Sequence, residues 1–214
     1  MFTSSYKNFN TDLYSRCSIS GDKGKMVNYE GKCYPKLAPK KGFWKIWHDN
    51  IGKISEEENN KFYIEQYYKE VLSILDPMEV YDDLQYKTLL CYEDAAEFCH
   101  RHIVAEWINL LLDIEVPEVK IDKKGIEMVE RPSYIRETLE EIMKANINMR
   151  GFNSIRAAYL FDESEKFEQK ANKLEEAGKC GDRYRQIACF IRCDADEAEC
   201  EYRMKKIKKQ KVKR

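Results

Sequence analysis

Lys87-Thr-Leu-Leu-Cys-Tyr92 is followed by Glu93-Asp-Ala-Ala-Glu-Phe98 and then by Cys99-His-Arg-His-Ile-Val-Ala-Glu-Trp-Ile-Asn-Leu-Leu-Leu112. The first run is short, apolar and uninterrupted, the pattern of a strand buried on both faces. The second is polar and reads as a loop. In the third, Ile103, Val104, Trp107, Ile108 and Leu111 recur at helical spacing, so Cys99–Leu112 reads as an amphipathic helix. A further short run, Glu115–Ile121, completes a strand, loop, helix and strand in βαβ-like order.

Working outward, Met1–Tyr6 reads as a first or edge strand. Tyr14–Ile19 reads as another, ending in the turn signal Ser20-Gly21-Asp22. Lys23–Pro39 carries Gly24, Gly31, Pro35 and Pro39 and reads as a long irregular loop, a kind of segment that is usually functional or flexible. Ser55-Glu56-Glu57-Glu58 places acids where a helix start favours them, and Phe62, Tyr63, Tyr67, Val71, Leu72 and Leu75 follow at helical spacing before Pro77. The fold class expected is α/β, a mostly parallel Rossmann-like sheet with flanking helices. After Gly125 the pattern changes: Pro132–Lys144 and Asn153–Lys209 are helical in period, and Gly178-Lys-Cys-Gly-Asp182 breaks the latter into an antiparallel pair. The expected organisation is an α/β domain over 1–124 and a helical extension over 125–214, with a helical hairpin and a basic tail, Arg203–Arg214.

Charge restricts the partners. Lys and Arg number 37 against 38 Asp and Glu, a net charge of -1, so the chain as a whole has no field to draw in nucleic acid. Only the basic tail offers a contact to nucleic acid or an acidic partner, and a solvated helix end is the default for such a run. No apolar stretch reaches the roughly 18–20 residues of a membrane span, and the N-terminus lacks a signal peptide's apolar run. The eight cysteines are therefore read as reduced thiols of a cytoplasmic protein rather than a disulfide framework.

Leu89-Leu-Cys-Tyr-Glu93, Phe98-Cys-His-Arg101 and His102-Ile-Val-Ala-Glu-Trp107 stand in order with Thr3-Ser-Ser-Tyr6, Ser18-Ile-Ser20, Tyr34, Leu37-Ala-Pro39 and Tyr67-Tyr-Lys-Glu-Val-Leu72. This arrangement, over roughly residues 1–121, resembles the family known as domain of unknown function 488, to which the YeaO-like proteins belong. The pair LLCYE and FCHR is its specific part. The resemblance implies an α/β fold and carries no activity with it.

In an open α/β sheet, ligands bind beyond the carboxyl ends of the strands. Ser4 and Ser5, Ser18 and Ser20, and Cys91 with Glu93 all fall at expected strand ends. The next helix opens with Cys99, His100 and Arg101, where free N–H groups attract anions, Arg101 can clamp a phosphate or carboxylate, and a thiolate is stabilised. The expected site holds a small anionic or nucleotide-like ligand on Ser4, Ser5, Ser18, Ser20 and Arg101. Glu93 is the base or hydroxyl-binding carboxylate, His100 an acid/base, and Cys99 the third catalytic candidate. The bland alternative is a Glu93–Arg101 salt bridge fastening strand to helix, with Cys91 and Cys99 packed as small hydrophobes. Cys91, Cys99, His100 and His102 show neither CxxC nor HExxH spacing, so no metal is assigned to them, and no cofactor is expected. Cys189, Cys193 and Cys200 share one helical face and read as a buried stripe, with a metal site completed by Cys180 as the alternative. His48, beside Trp44 and Trp47, reads as a rim or core residue. Two functions remain open: an enzyme acting on an anionic small molecule, and a non-catalytic ligand-sensing or interaction module.

Overall fold

A computed structural model describes residues 1–12 and 14–212, without the side chains of Ile207 and residues 209–212. The chain forms two compact units, Met1–Ile142 and Met143–Arg214.

The first unit is built on one parallel sheet. Its strands are β1 (Phe2–Ser5), β2 (Arg16–Ser18), β3 (Lys32–Cys33) and β4 (Thr88–Cys91), in the order β1, β4, β2, β3. The three strand runs read from the sequence thus lie side by side: Thr3 and Cys17 both pair with Leu89, and Ser4 and Ser18 with Leu90. Every residue of β4 is buried, as an uninterrupted apolar strand between two neighbours requires. Helices α1 (Lys41–Asn50), α2 (Glu56–Glu70), α3 (Pro77–Leu84) and α4 (His100–Leu112) accompany the sheet. Ser55 caps α2 by accepting from the Glu58 amide. The helix opened by His100 is more than amphipathic, since every residue from His100 to Ile108 is buried.

The loop Lys23–Pro39 contains the two residues of β3 and tight turns on either side, Lys25–Val27 and Pro35–Leu37. At Gly24, φ is +80° and an added Cβ would lie 2.5 Å from the Tyr29 Cβ, so only glycine fits there. The run 115–121 supplies β5 (Val119–Asp122), which does not join the parallel sheet as a full strand. It pairs antiparallel with β6 (Gly125–Met128) and touches the N-terminal segment through single parallel bridges, Thr3 to Glu118 and Phe9 to Ile121. Strand structure therefore continues just past residue 124. Helix α5 (Tyr134–Asn146) follows.

The second unit is a hairpin of α6 (Ile155–Glu176) and α7 (Asp182–Val212), broken where the glycines foretold. Gly178, with φ +71°, ends α6 with the paired bonds of a Schellman turn: Lys179 N donates to Leu174 O, and Gly178 N to Glu175 O. An added Cβ on Gly181 would lie 2.7 Å from the Ala171 carbonyl oxygen. Small residues line the buried faces of both helices: Ala157, Ala158, Ser164 and Ala171 on α6, and Ala188, Ala195 and Ala198 on α7. This seam corrects the reading of the distal cysteines. Cys180, Cys189, Cys193 and Cys200 are all exposed, because the alanines, not the cysteines, occupy the stripe that faces inward. The basic tail continues α7 to Val212, and its last residues, Lys213 and Arg214, lie outside the described residues. No helix among the described residues is long and apolar enough to cross a membrane, and all eight thiols are free.

Candidate functional site

Cys91 is the last residue of β4, and Cys99 is the N-cap of α4, so the intervening loop returns the chain to the carboxyl end of the sheet. There His100 Nδ1 lies 3.7 Å from Cys91 Sγ and 3.9 Å from Cys99 Sγ. Its Nε2 is 3.1 Å from the Ile19 carbonyl oxygen. A carbonyl can only accept, so Nε2 carries a proton, and Nδ1 faces the two sulfurs. All three side chains are buried. Glu93 Oε2 and Cys99 Sγ are hydrogen-bonded at 2.8 Å. Burial, then the charge of Cys99, pushes the Glu93 carboxyl up to about 7. Burial acts in the same direction on Cys99, but a hydrogen bond from Cys91 and the nearby charges of Arg101 and His100 outweigh it and hold this thiol well below its ordinary value. Burial raises the Cys91 thiol. Burial opposes the charged form of His100, and its contacts with Cys99 and Glu93 reverse the balance, leaving it raised.

Arg101 and Glu93 do not form the salt bridge that their positions allowed. Arg101 turns to Glu118, just before β5, with NH2 3.0 Å and Nε 3.2 Å from Oε1, and a further bond from NH2 to the Asp94 carbonyl. Neither side chain of this ion pair has any exposed surface. The NH1 nitrogen is buried without a partner. His102 Nε2 approaches Glu118 Oε2 to 3.2 Å, yet off the N–H direction, and both ring nitrogens are buried without a hydrogen-bond partner. Burial would raise the Glu118 carboxyl, but His102 and Arg101 together bring it below its usual value. Glu118 was not singled out in the sequence, where nothing local marks a carboxylate that pairs with an arginine on another element.

The serines divide. Ser4 donates to the Val119 carbonyl at 2.6 Å, and Ser5 accepts from the Asn8 amide, so both hydroxyls serve the fold around β1. Ser18 and Ser20 flank Ile19, the residue that holds His100, and both engage the Tyr6 hydroxyl, at 2.6 and 3.0 Å. Ser20 also donates to Asp22 and accepts from the Gly24 amide, while Tyr92 OH donates to the other Asp22 oxygen at 2.6 Å. This hydroxyl network sits over the strand ends beside the Cys91, Cys99 and His100 cluster. Tyr6 and Asp22 join it without having been named as candidates, although both follow the strand-end serines directly enough to be found. His48 is exposed and stacks on Trp44 at the rim.

Residues 14–111 match the family model DUF488-N3a, described as the active DUF488-N3 subclade. No curated protein and no solved structure matches the chain.

Proposed function

Since residues 14–111 of this chain belong to the domain of unknown function 488 family, we propose that this segment carries an enzyme active site at the carboxyl ends of its parallel strands, acting on a small anionic or nucleotide-like substrate. The observation that carries the reading is the position of Glu93. Its carboxyl is half-buried, has no lysine or arginine partner among the described residues, and meets instead the thiol of a buried Cys99–His100 pair. An unpaired, partly desolvated carboxyl is costly to keep, and such groups concentrate where chemistry is done. In this reading Glu93 exchanges a proton with the substrate or with water, and His100 and Cys99 form the polar floor behind it. The hydroxyls of Ser18, Ser20 and Tyr6 and the N-terminus of α4 receive the polar or anionic part of the substrate. The salt bridge of Arg101 with Glu118 holds the floor in place from behind, and a reducing compartment suits a site that needs free thiols.

The test is Glu93→Gln, assayed by thermal shift against a panel of nucleoside monophosphates, nucleoside triphosphates and sugar phosphates. Because Glu93 has no lysine or arginine partner to strand, the variant should lie within about 1 kcal/mol of the wild type in stability and lose the response to whichever compound stabilises the wild type. A response that survives the substitution assigns the segment to the non-catalytic class of ligand-sensing modules.

A further inference from the structure

From the same cluster, and resting on the reading of it as an active site, we infer that Cys91, Cys99 and His100 bind a zinc-like divalent metal ion. The three side chains offer two sulfurs and one ring nitrogen from two elements, a strand terminus and a helix terminus, and their ligand atoms all lie within 4.8 Å of one another. The individual spacings are more telling. With metal–sulfur and metal–nitrogen bonds of about 2.3 and 2.0–2.1 Å, a tetrahedral ion holds sulfur and nitrogen roughly 3.6 Å apart. Here the two sulfurs stand 3.7 and 3.9 Å from His100 Nδ1. That is longer than a good hydrogen bond to nitrogen and close to a coordination edge. The other ring nitrogen faces the Ile19 carbonyl at 3.1 Å, which fixes the tautomer that leaves Nδ1 as a donor to a metal. The carbonyl is itself held in the sheet, where Ile19 N donates to Leu90 O.

The donor set selects the ion. Thiolate sulfur with imidazole suits zinc and disfavours magnesium or calcium, which take oxygen ligands. Two thiolates and a neutral imidazole balance the charge of a divalent cation, which removes the objection to burying them together. Glu93 touches Cys99 but stands outside the three-residue group. Three protein ligands leave a fourth position for water, with a carboxyl beside it. This is the composition of a hydrolytic rather than a structural zinc site. An ion held there would supply a water of lowered proton affinity, and Glu93 would take one proton from that water and pass it to the leaving group as the bond to carbon or phosphorus breaks, so that substrate plus water gives two products. Cys99 in this arrangement is a ligand and not a nucleophile.

The full-length chain with Cys180, Cys189, Cys193 and Cys200 all changed to Ser removes the exposed thiols that could collect metal non-specifically. Purified from zinc-supplemented culture, it should contain about one zinc per chain, released by a mercurial and not by mild dialysis. Cobalt substitution should produce thiolate-to-cobalt charge-transfer absorption and tetrahedral visible bands, and Cys91→Ser should abolish both. Should Cys91→Ser fail to fold, zinc content, cobalt spectra and alkylation of the parent chain decide the matter alone. Less than about a tenth of an equivalent of zinc, no cobalt spectrum on titration, and rapid alkylation of Cys99 would overturn the inference. The two proposals fail separately. Glu93→Gln leaves the metal in place and tests the enzyme reading, whereas metal content tests the ligands whatever Glu93 does.

Discussion

In the first unit a guanidinium and a carboxylate, Arg101 and Glu118, face each other with no exposed side-chain surface at all. In the second, Arg150 with Asp162 and Glu165, and Arg185 with Glu175, make ion pairs of similar length that keep a third or more of their side-chain surface in water. Exposed pairs of this kind contribute little to stability, so the hairpin depends on its alanine seam and its caps. The buried pair is a different object. Its desolvation costs about as much as its attraction returns, so it adds little net stability, but neither partner can be lost alone. It ties α4 to the start of the β5–β6 hairpin directly behind Cys99 and His100, which is where a site needs rigid support.

The largest effect expected from this contrast is at Glu118. Glu118→Gln keeps the shape and removes the charge, leaving Arg101, already short of a partner at NH1, buried against a neutral amide. A loss of roughly 3–5 kcal/mol is expected, measurable by chemical denaturation. Replacing an exposed partner in the second unit, as in Glu165→Gln, should cost less than about 1 kcal/mol. Equal costs at the two positions would break the comparison.

The sequence announced the sheet more clearly than the site. Met1–Tyr6, Tyr14–Ile19 and Lys87–Tyr92 each carry enough apolar and β-favouring residues to be recognised alone, and all three are strands of one sheet. Helix α3 also had a local signal that passed unused, since Asp76 accepts from the Met78 and Glu79 amides with Pro77 at the first helical position. Helix α1 begins at a lysine without a side-chain cap and had no such mark. Site partners are another matter. Cys91 and His100 are nine positions apart with a loop between them, a spacing that matches no metal motif, and only the fold brings Nδ1 to both sulfurs. Glu118 meets Arg101 across 17 positions for the same reason. The stripe on α7 failed for a subtler cause. Cysteine and alanine are both common in cores, and periodicity alone could not decide which of two adjacent stripes turns inward.

The second unit, like the first, holds a carboxylate below its usual value, and here its partners all lie within the hairpin and the turn before it. Glu199 on α7 accepts from the Asn153 and Ser154 amides at 2.8 and 2.9 Å and from Asn153 Nδ2 and Arg203. Burial tends to raise this carboxyl, but the four donors hold it down at about 2. A folded value below the unfolded one means that the stabilisation is complete above the unfolded value of about 4.3 and disappears as pH falls through the interval down to about 2. Helical signal from the hairpin should therefore weaken between about pH 5 and 2. Glu199→Gln should abolish that dependence and, at neutral pH, cost about 1–2 kcal/mol. An acid transition of the same depth in the variant would show that the hairpin is not held at this point.

The smallest effect expected is at the exposed cysteines, and it is the sharpest test of which stripe of α7 faces inward. Cys189 and Cys193 are one turn apart on the outer surface, and Ala188 and Ala195 lie on the seam. If this rotation of the helix is right, Cys180, Cys189, Cys193 and Cys200 react with an aromatic disulfide reagent in the native chain as fast as a free thiol does. Cys17, Cys91 and Cys99, each at 2% exposure, wait for unfolding, and Cys33, partly exposed, falls between. Cys189→Ser and Cys193→Ser should then shift stability by no more than about 0.5 kcal/mol, since an exposed thiol and an exposed hydroxyl are solvated alike. A buried cysteine stripe behaves oppositely on both counts: slow labelling, and a cost of about 1–3 kcal/mol for placing an unpaired hydroxyl among alanines. The two measurements are independent, one kinetic and one thermodynamic. Slow labelling together with a large cost would mean that α7 is turned about its axis, with the alanines outside.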